Sequence, residues 1–390
     1  MRYLKNATLC PRDPFRILKR LTTEEVVIHD MIKTYAKQEL SPRIDKDFTN
    51  NYFDRNVVRE LGWLGLLGMT SGDQASSYRS YGLACHALES VDSSYRSMLS
   101  VQTSLVIHPI CKYGNDDVKS KYIDGLRSGE LLGSFCLTEP NSGSDIRSMI
   151  TNAQKDGNDY LLNGSKTWIT NAPEADVFVV WSKIEKGEIG GFVLDRSMTG
   201  LSTSSIPGKL SMKASSTGTV NLDNVRVPGS NLLKIRGLKG PLSCLNQARF
   251  GVSWGVLGAA SDCVEQTLEY ADQRLIFDKV LSSFQITQIK LADCVTDIGT
   301  GIAASYSVAE DKDNEIDQHY MTSILKRRNC KTAIDTGLKC REILGANGVT
   351  SAYSPMRHLM NLQSVTTYEG TSDVHGLIIG KELTGVGAFV

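Results

Sequence analysis

Apolar positions recur at helical spacing through the first third of the chain. Thr22 and Glu25 make a capping-box pattern, and Val27, Met31 and Tyr35 follow on one face, predicting a helix that ends at Pro42. Further helical runs cover residues 81–91 and about 117–127. The texture changes between Gly133 and about Pro228. Short β-rich runs at 160–162, 177–181, 191–194 and 220–222, separated by Gly, Asn, Asp and Pro, predict the strands of a small β unit. Beyond Gly240 long helical patterns return at 244–274, 284–310 and 319–344, with a last helix from Asp373. The chain therefore reads as α+β in three domains: a helical one at 1–132, a β domain at 133–240 and a helical bundle at 241–390.

Composition narrows the function classes. Lys+Arg and Asp+Glu are 43 each among 390 residues, so no basic field points to nucleic acid. Nine cysteines are scattered without a CxxC pair or a metal-ligand spacing to histidine, which reads as reduced thiols and no metal site. No apolar run reaches membrane-spanning length. The first twenty residues carry Arg2, Lys5, Arg12, Arg16, Lys19 and Arg20 beside Asp13 and two prolines, which fits a transit remnant or a mature N-terminal arm equally.

Three segments carry candidate chemistry. In 367–371, Glu369 lies between Tyr368 and Gly370, just ahead of an apolar run. Aromatic cover raises the cost of a charged carboxylate, which suits a base that takes a proton from carbon. The same residues also read as a helix N-terminus, with Thr371 as cap and Asp373 favouring the dipole. In 137–145, hydroxyls, an amide and Gly143 crowd a loop that Pro140 keeps from becoming helix. Such a loop aims N–H groups and hydroxyls at a heterocycle or phosphate, or forms a plain surface turn. In 161–171, Asn163-Gly164 signals a hairpin whose second arm puts Trp168 and Thr170 on one face, either for a flat ring or for the sheet's own core.

These motifs, taken with 94–105, 129–133 and 244–251 in this order, resemble the acyl-CoA dehydrogenase family over nearly the whole chain, and within it the glutaryl-CoA dehydrogenases. The resemblance implies an FAD enzyme in which Glu369 is the base. It implies flavin contacts at Phe135, Leu137, Thr138, Gly143, Ser144, Trp168, Ile169 and Thr170. Further cofactor contacts are implied at Arg274, Phe277, Gln285, Glu342, Gly345, Ala346, Thr371 and Ser372, of which Arg274 and Phe277 reach a neighbouring subunit's cofactor. It places acyl-CoA against Ser144, Leu242, Ser243, Cys244, Leu245, Asn246, Arg249, Tyr368, Gly370 and Phe389. It assigns Arg96 to a distal substrate carboxylate, with Ser97 and Glu89 in the same pocket, Glu89 lying about two turns earlier if the helix is continuous.

The implied activity is oxidation and decarboxylation of glutaryl-CoA to crotonyl-CoA in lysine and tryptophan degradation, with electrons passing to electron-transfer flavoprotein. A homotetramer is implied, in the mitochondrial matrix of a eukaryote or otherwise in the cytoplasm. The alternatives are a non-decarboxylating acyl-CoA dehydrogenase or oxidase and a cofactor-poor acyl-CoA-binding relative. The last stays open because the chain departs from the family pattern at Asp278 and Ala346, where glycines are usual, and at Lys339, where glutamine is usual. Lys339 is expected to offset Asp278. The 69–73 segment lacks a tyrosine-glycine pair.

Overall fold

A computed structural model describes residues 9–72, 75–316 and 318–388. Phe389, and Asp73 of the 69–73 segment, lie outside them. The N-terminal domain contains α1 (Thr23–Tyr35), α2 (Ser41–Asn50), α3 (Asn56–Trp63), α4 (Tyr78–Glu89), α5 (Ser93–Ser100), α6 (His108–Tyr113) and α7 (Asp116–Ser128). The Thr22 capping box forms as read from the sequence. The helix does not end at Pro42: a π-turn at Ala36–Leu40 leads into α2, where Pro42 occupies the first turn and has no helical N–H to lose. Val27 is exposed, and the buried side of this segment runs through Ile32 and Ala36 instead. The helical path from Glu89 to Arg96 is also broken. Asp92 caps a new helix there, its carboxylate accepting from the Ser94 N–H at 2.8 Å.

The middle domain is an eight-stranded sheet of β1 (Gly133–Cys136), β2 (Asn152–Asp156), β3 (Asp159–Thr170), β4 (Val177–Lys183), β5 (Ile189–Asp195), β6 (Leu201–Ser205), β7 (Thr217–Pro228) and β8 (Leu232–Arg236). Its order is β6-β7-β3-β2-β4-β5-β8, with β1 alongside β4. The β4 strand shows how the sheet joins the helices: Val177, Val179 and Trp181 enter the helical core while Phe178 and Val180 enter the sheet's own. Asn163-Gly164 is not a hairpin turn. It sits inside β3 as a bulge facing β7, and the actual turn lies between β2 and β3, where Asp156 pairs with Asp159. Gly164 is needed there because its φ is +148° and a Cβ would strike Thr151.

The C-terminal domain packs α8 (Lys239–Gln273), α9 (Gln285–Asp313), α10 (His319–Leu344), α11 (Pro355–Thr367) and α12 (Ser372–Thr384). A two-stranded hairpin, β9 (Leu275–Ile276) and β10 (Lys279–Val280), joins α8 to α9. Glycines on α8 let α4 cross close by: Cβ atoms at Gly258 and Gly255 would strike the His86 backbone and the Glu89 carboxylate. That crossing holds Glu89 and Arg249, from different domains, over the same end of the bundle.

Candidate active site

The loop that carries Glu369, the candidate base, connects α11 to α12. Thr371 caps α12 through the Val374 N–H at 3.2 Å, so the capping reading holds two residues from the candidate base Glu369. Glu369 adopts a left-handed φ of +56° and Gly370 one of +100°. A non-glycine residue held there stores strain, and three buried cations hold it. Lys326 donates to the Tyr368 carbonyl at 2.7 Å and the Gly370 carbonyl at 2.6 Å, and Arg249 donates to the Glu369 carbonyl at 2.6 Å. The Glu369 Oε2 is sealed from solvent and has no hydrogen-bond partner among the described residues. Burial pushes this carboxyl above the usual carboxylate range, against the pull of Arg96, Lys326 and Arg249.

Arg96 is the third cation. Its Nε donates to Glu89 Oε2 at 2.6 Å, its Nη2 donates to the Tyr368 hydroxyl, and its guanidinium lies 5.8 Å from the centre of the Tyr368 ring. Burial opposes its charge, but Glu89 keeps it firmly protonated. Ser93 braces Glu89 through the other carboxylate oxygen at 2.8 Å. Ser97 is buried beside Arg96, and the Ser100 hydroxyl, one helical turn on, is buried near that of Tyr81. The structure therefore brings Glu89, Arg96, Arg249, Tyr368, Glu369 and Gly370 into one cluster.

On α8, Ser243 Oγ meets the Tyr113 hydroxyl at 2.9 Å, Leu242 is exposed, Asn246 is half-buried, and Cys244 and Leu245 are buried. Cys244 donates its thiol to the Gly240 carbonyl at 3.4 Å.

The β-domain residues form a second group. A buried ion pair pins the 137–145 loop: Lys166 Nζ donates to Glu139 Oε1 at 2.8 Å and to the Leu137 carbonyl at 2.9 Å. Glu139 also accepts from the Ile150 and Thr151 N–H groups at 2.6 and 3.0 Å. Although burial opposes its ionisation, these donors hold Glu139 below the usual carboxylate range. Thr138 accepts from the Thr167 N–H at 2.9 Å, which ties the loop to β3, while Gly143 and Ser144 stay exposed at its tip. Phe135, Leu137 and Ile169 are buried, and Thr170 is half-buried. Strand alternation fails at Trp168, whose φ is +58° at a second bulge, leaving its indole 61% exposed. An exposed indole beside a hydroxyl-rich loop is a poor surface for water and a good one for a flat heterocycle. This donor set fits a flavin.

Six of the remaining cofactor positions, Arg274, Phe277, Gln285, Glu342, Gly345 and Ala346, lie at the opposite end of the bundle from Glu369, whereas Thr371 and Ser372 start α12 beside it. Arg274, the residue that follows α8, is about 25 residues beyond Arg249, roughly 37 Å at the helical rise. Around it, Phe277, Gln285, Glu342, Gly345 and Ala346 are exposed, Phe277 by 87%. Glu342 accepts from Lys290 at 2.7 Å, and Lys339 pairs with Asp293 at 3.0 Å rather than with Asp278, because both sit on the α9–α10 face. Ser372 is exposed in the first turn of α12.

Residues 22–130, 134–225 and 236–384 match the models of the acyl-CoA dehydrogenase N-terminal, middle and C-terminal domains. An acyl-CoA dehydrogenase of Bacillus subtilis (strain 168) is 31% identical over 375 residues, covering 94% of this chain and 99% of the relative. The chain belongs to the acyl-CoA dehydrogenase family. Among solved structures, a glutaryl-CoA dehydrogenase of Mycobacterium smegmatis in complex with FADH2 superposes with a TM-score of 0.96 at 41% identity, covering 98% of this chain and 100% of that one. A glutaryl-CoA dehydrogenase in complex with glutaryl-CoA superposes with a TM-score of 0.90 at 28% identity, over 94% and 96% of the two chains.

Sequence reasoning missed Lys326, Ser100 and His375, whose ring packs against Gly370, in this acyl-CoA dehydrogenase. Lys326 hides in a Lys326-Arg327-Arg328 run that reads as a solvated face. The signal available was phase: Thr322, Leu325, Asn329 and Ala333 put Lys326 on the buried stripe of α10.

Proposed function

We propose that this acyl-CoA dehydrogenase oxidises and decarboxylates glutaryl-CoA. The observation that carries the reading is Arg96, 1% exposed and fixed beside the base by Glu89 and Tyr368. A pocket for an apolar tail gains nothing from a buried guanidinium, whereas a dicarboxylic substrate brings a second carboxylate, beyond Glu89, for it to hold. The charge balance agrees. Arg96, Arg249 and Lys326 face two carboxylates, Glu89 and Glu369, leaving one positive charge for one more carboxylate.

FAD, held by the 137–145 loop and the Trp168–Thr170 edge, supplies the acceptor for the β-hydride when bound. Glu369 takes the α-proton next to the thioester, helped by a carboxyl that burial has made more basic. Arg96, with the Ser97 and Ser100 hydroxyls nearby, holds the distal carboxylate of the glutaconyl-CoA formed. That carboxylate leaves as carbon dioxide, its bonding electrons pass into the thioester dienolate, and the proton held by Glu369 returns to the terminal carbon to give crotonyl-CoA. Electron-transfer flavoprotein is the onward acceptor. The exposed Phe277 tip, too far from Glu369 to serve its own site, favours a homotetramer in which it meets a neighbour's cofactor. In a eukaryote the enzyme works in the mitochondrial matrix.

The test offers purified holoenzyme glutaryl-CoA or butyryl-CoA with an artificial electron acceptor. One carbon dioxide per crotonyl-CoA from glutaryl-CoA is the expected result. Faster turnover of butyryl-CoA, with no carbon dioxide from either, overturns the assignment, and hydrogen peroxide without added acceptor marks an oxidase.

A further inference from the structure

The three carbonyls of the base loop, at Tyr368, Glu369 and Gly370, all point at buried cations, and Lys326 takes the outer two. A trans peptide sends its N–H opposite to its C=O. The Tyr368 carbonyl therefore turns the N–H of Glu369 away from Lys326, and among the described residues no protein group accepts from that N–H. We infer that Lys326 is a positioning residue of the reaction: by holding the Tyr368 and Gly370 carbonyls it aims the Glu369 N–H at the substrate thioester oxygen and places the carboxylate over the α-carbon. This rests on the acyl-CoA reading of the cleft.

Two features argue against a merely structural ammonium. A lysine with 1% exposure is costly to bury, and burial draws its own pKa down. Among the described residues no carboxylate pairs with it; its two hydrogen bonds go to backbone on either side of Glu369. The Glu369 φ of +56° is the conformation those bonds enforce, and Gly370, at +100°, has His375 and Arg249 packed where a Cβ would go. The charged and titratable groups sharing this space are Glu89, Arg96, Arg249, Tyr368 and His375, with the Cys85 and Cys330 thiols behind them. His375 stays neutral at working pH, its pKa pushed down to about 3 by burial and by Lys326 and Arg249. Lys326 thus adds positive charge beside Glu369 and pulls the base's pKa down against burial.

The experiment compares full-length holoenzyme with Lys326→Met and Lys326→Gln. Glutaryl-CoA titrations should give affinities within about threefold of wild type, while Lys326→Met loses about 10²–10³ in kcat, as for removal of one oxyanion donor. The acid limb of the kcat/KM profile should move to higher pH in both variants, since both lose the charge. Lys326→Gln should keep more of kcat, because its amide has two N–H donors for the two carbonyls. Wild-type kcat with an unmoved acid limb in Lys326→Met overturns the inference, as does a lower kcat that tracks lost stability without a pH shift. If Lys326→Met does not fold, the acid limb of Lys326→Gln decides in the same way. A wild type inert on every acyl-CoA overturns both readings; an active wild type indifferent to Lys326 overturns this one alone.

Discussion

Arg96 and Glu89 face each other at 2.6 Å, Nε to Oε2, with 1% and 0% of their surfaces exposed. Removing one member of such a pair strands the other charge, at a cost of about 3–5 kcal/mol. Arg96→Met should therefore lower the urea midpoint and the preference for glutaryl-CoA together. Glu89→Gln/Arg96→Gln removes both charges and should recover most of the stability without recovering the preference. The ratio of kcat/KM for glutaryl-CoA over butyryl-CoA should fall by about 2–5 kcal/mol in either protein. A double variant that still favours glutaryl-CoA would show that Arg96 does not read the distal carboxylate.

Glu369→Gln should keep the flavin spectrum and substrate binding while losing about 10²–10⁴ in kcat. It should also be more stable than wild type at pH 8. Burial raises the Glu369 pKa in the folded state, so folding favours its protonated form, and stability is lost as pH rises through the range between the unfolded and folded values. Below the unfolded pKa both proteins carry a neutral group, and their melting temperatures should converge. Equal stability at pH 8 would mean that the carboxylate is not held at a cost.

The domain order was legible because it depends on periodicity: α10 runs from His319 to Leu344 as its pattern predicted, and α12 begins within one residue of Asp373. Local breaks were not. Asn163-Gly164 has the composition of a turn, but β3 continues through it because pairing with β7 outweighs the local preference. The break after Glu89 was hidden for a related reason: a helix broken at Asp92 and an unbroken one have nearly the same apolar pattern. Glu369, whose carboxylate oxygen Oε2 the structure buries, was legible as a candidate base from Tyr368 and Gly370. The cations around its backbone were not, since Arg249 and Lys326 come from helices far apart in sequence and only packing brings their donors to three consecutive carbonyls.

Two buried histidines make acid stability a readout of packing. His375 and His108 are 1% and 6% exposed, and burial pushes their pKa values down to about 3 and about 4. With folded values below the unfolded one near 6.5, each stays neutral in the fold while the unfolded chain takes up a proton. Stability should then fall as pH drops below about 6.5, by about 1.4 kcal/mol per pH unit for each histidine. Urea midpoints between pH 7 and 5 check this. His375→Gln and His108→Gln should each flatten the curve, and a slope unchanged in both would assign the acid sensitivity elsewhere.

The tip of the β9–β10 hairpin places Phe277 at φ +47° and Asp278 at +59°, a two-residue turn with both centres left-handed. Glycine suits the second position, whereas Asp adds strain of about 1 kcal/mol and an exposed negative charge. Lys339 does not neutralise that charge, being paired with Asp293. Asp278→Gly should raise stability by about 1 kcal/mol in urea denaturation. If the tip meets a neighbouring subunit's cofactor phosphates, the same change should also raise FAD retention on gel filtration, more at low salt than at high salt, because the repulsion removed is between exposed charges. A gain in stability with no change in FAD retention would separate the two effects and place the Asp278 charge beyond reach of the cofactor.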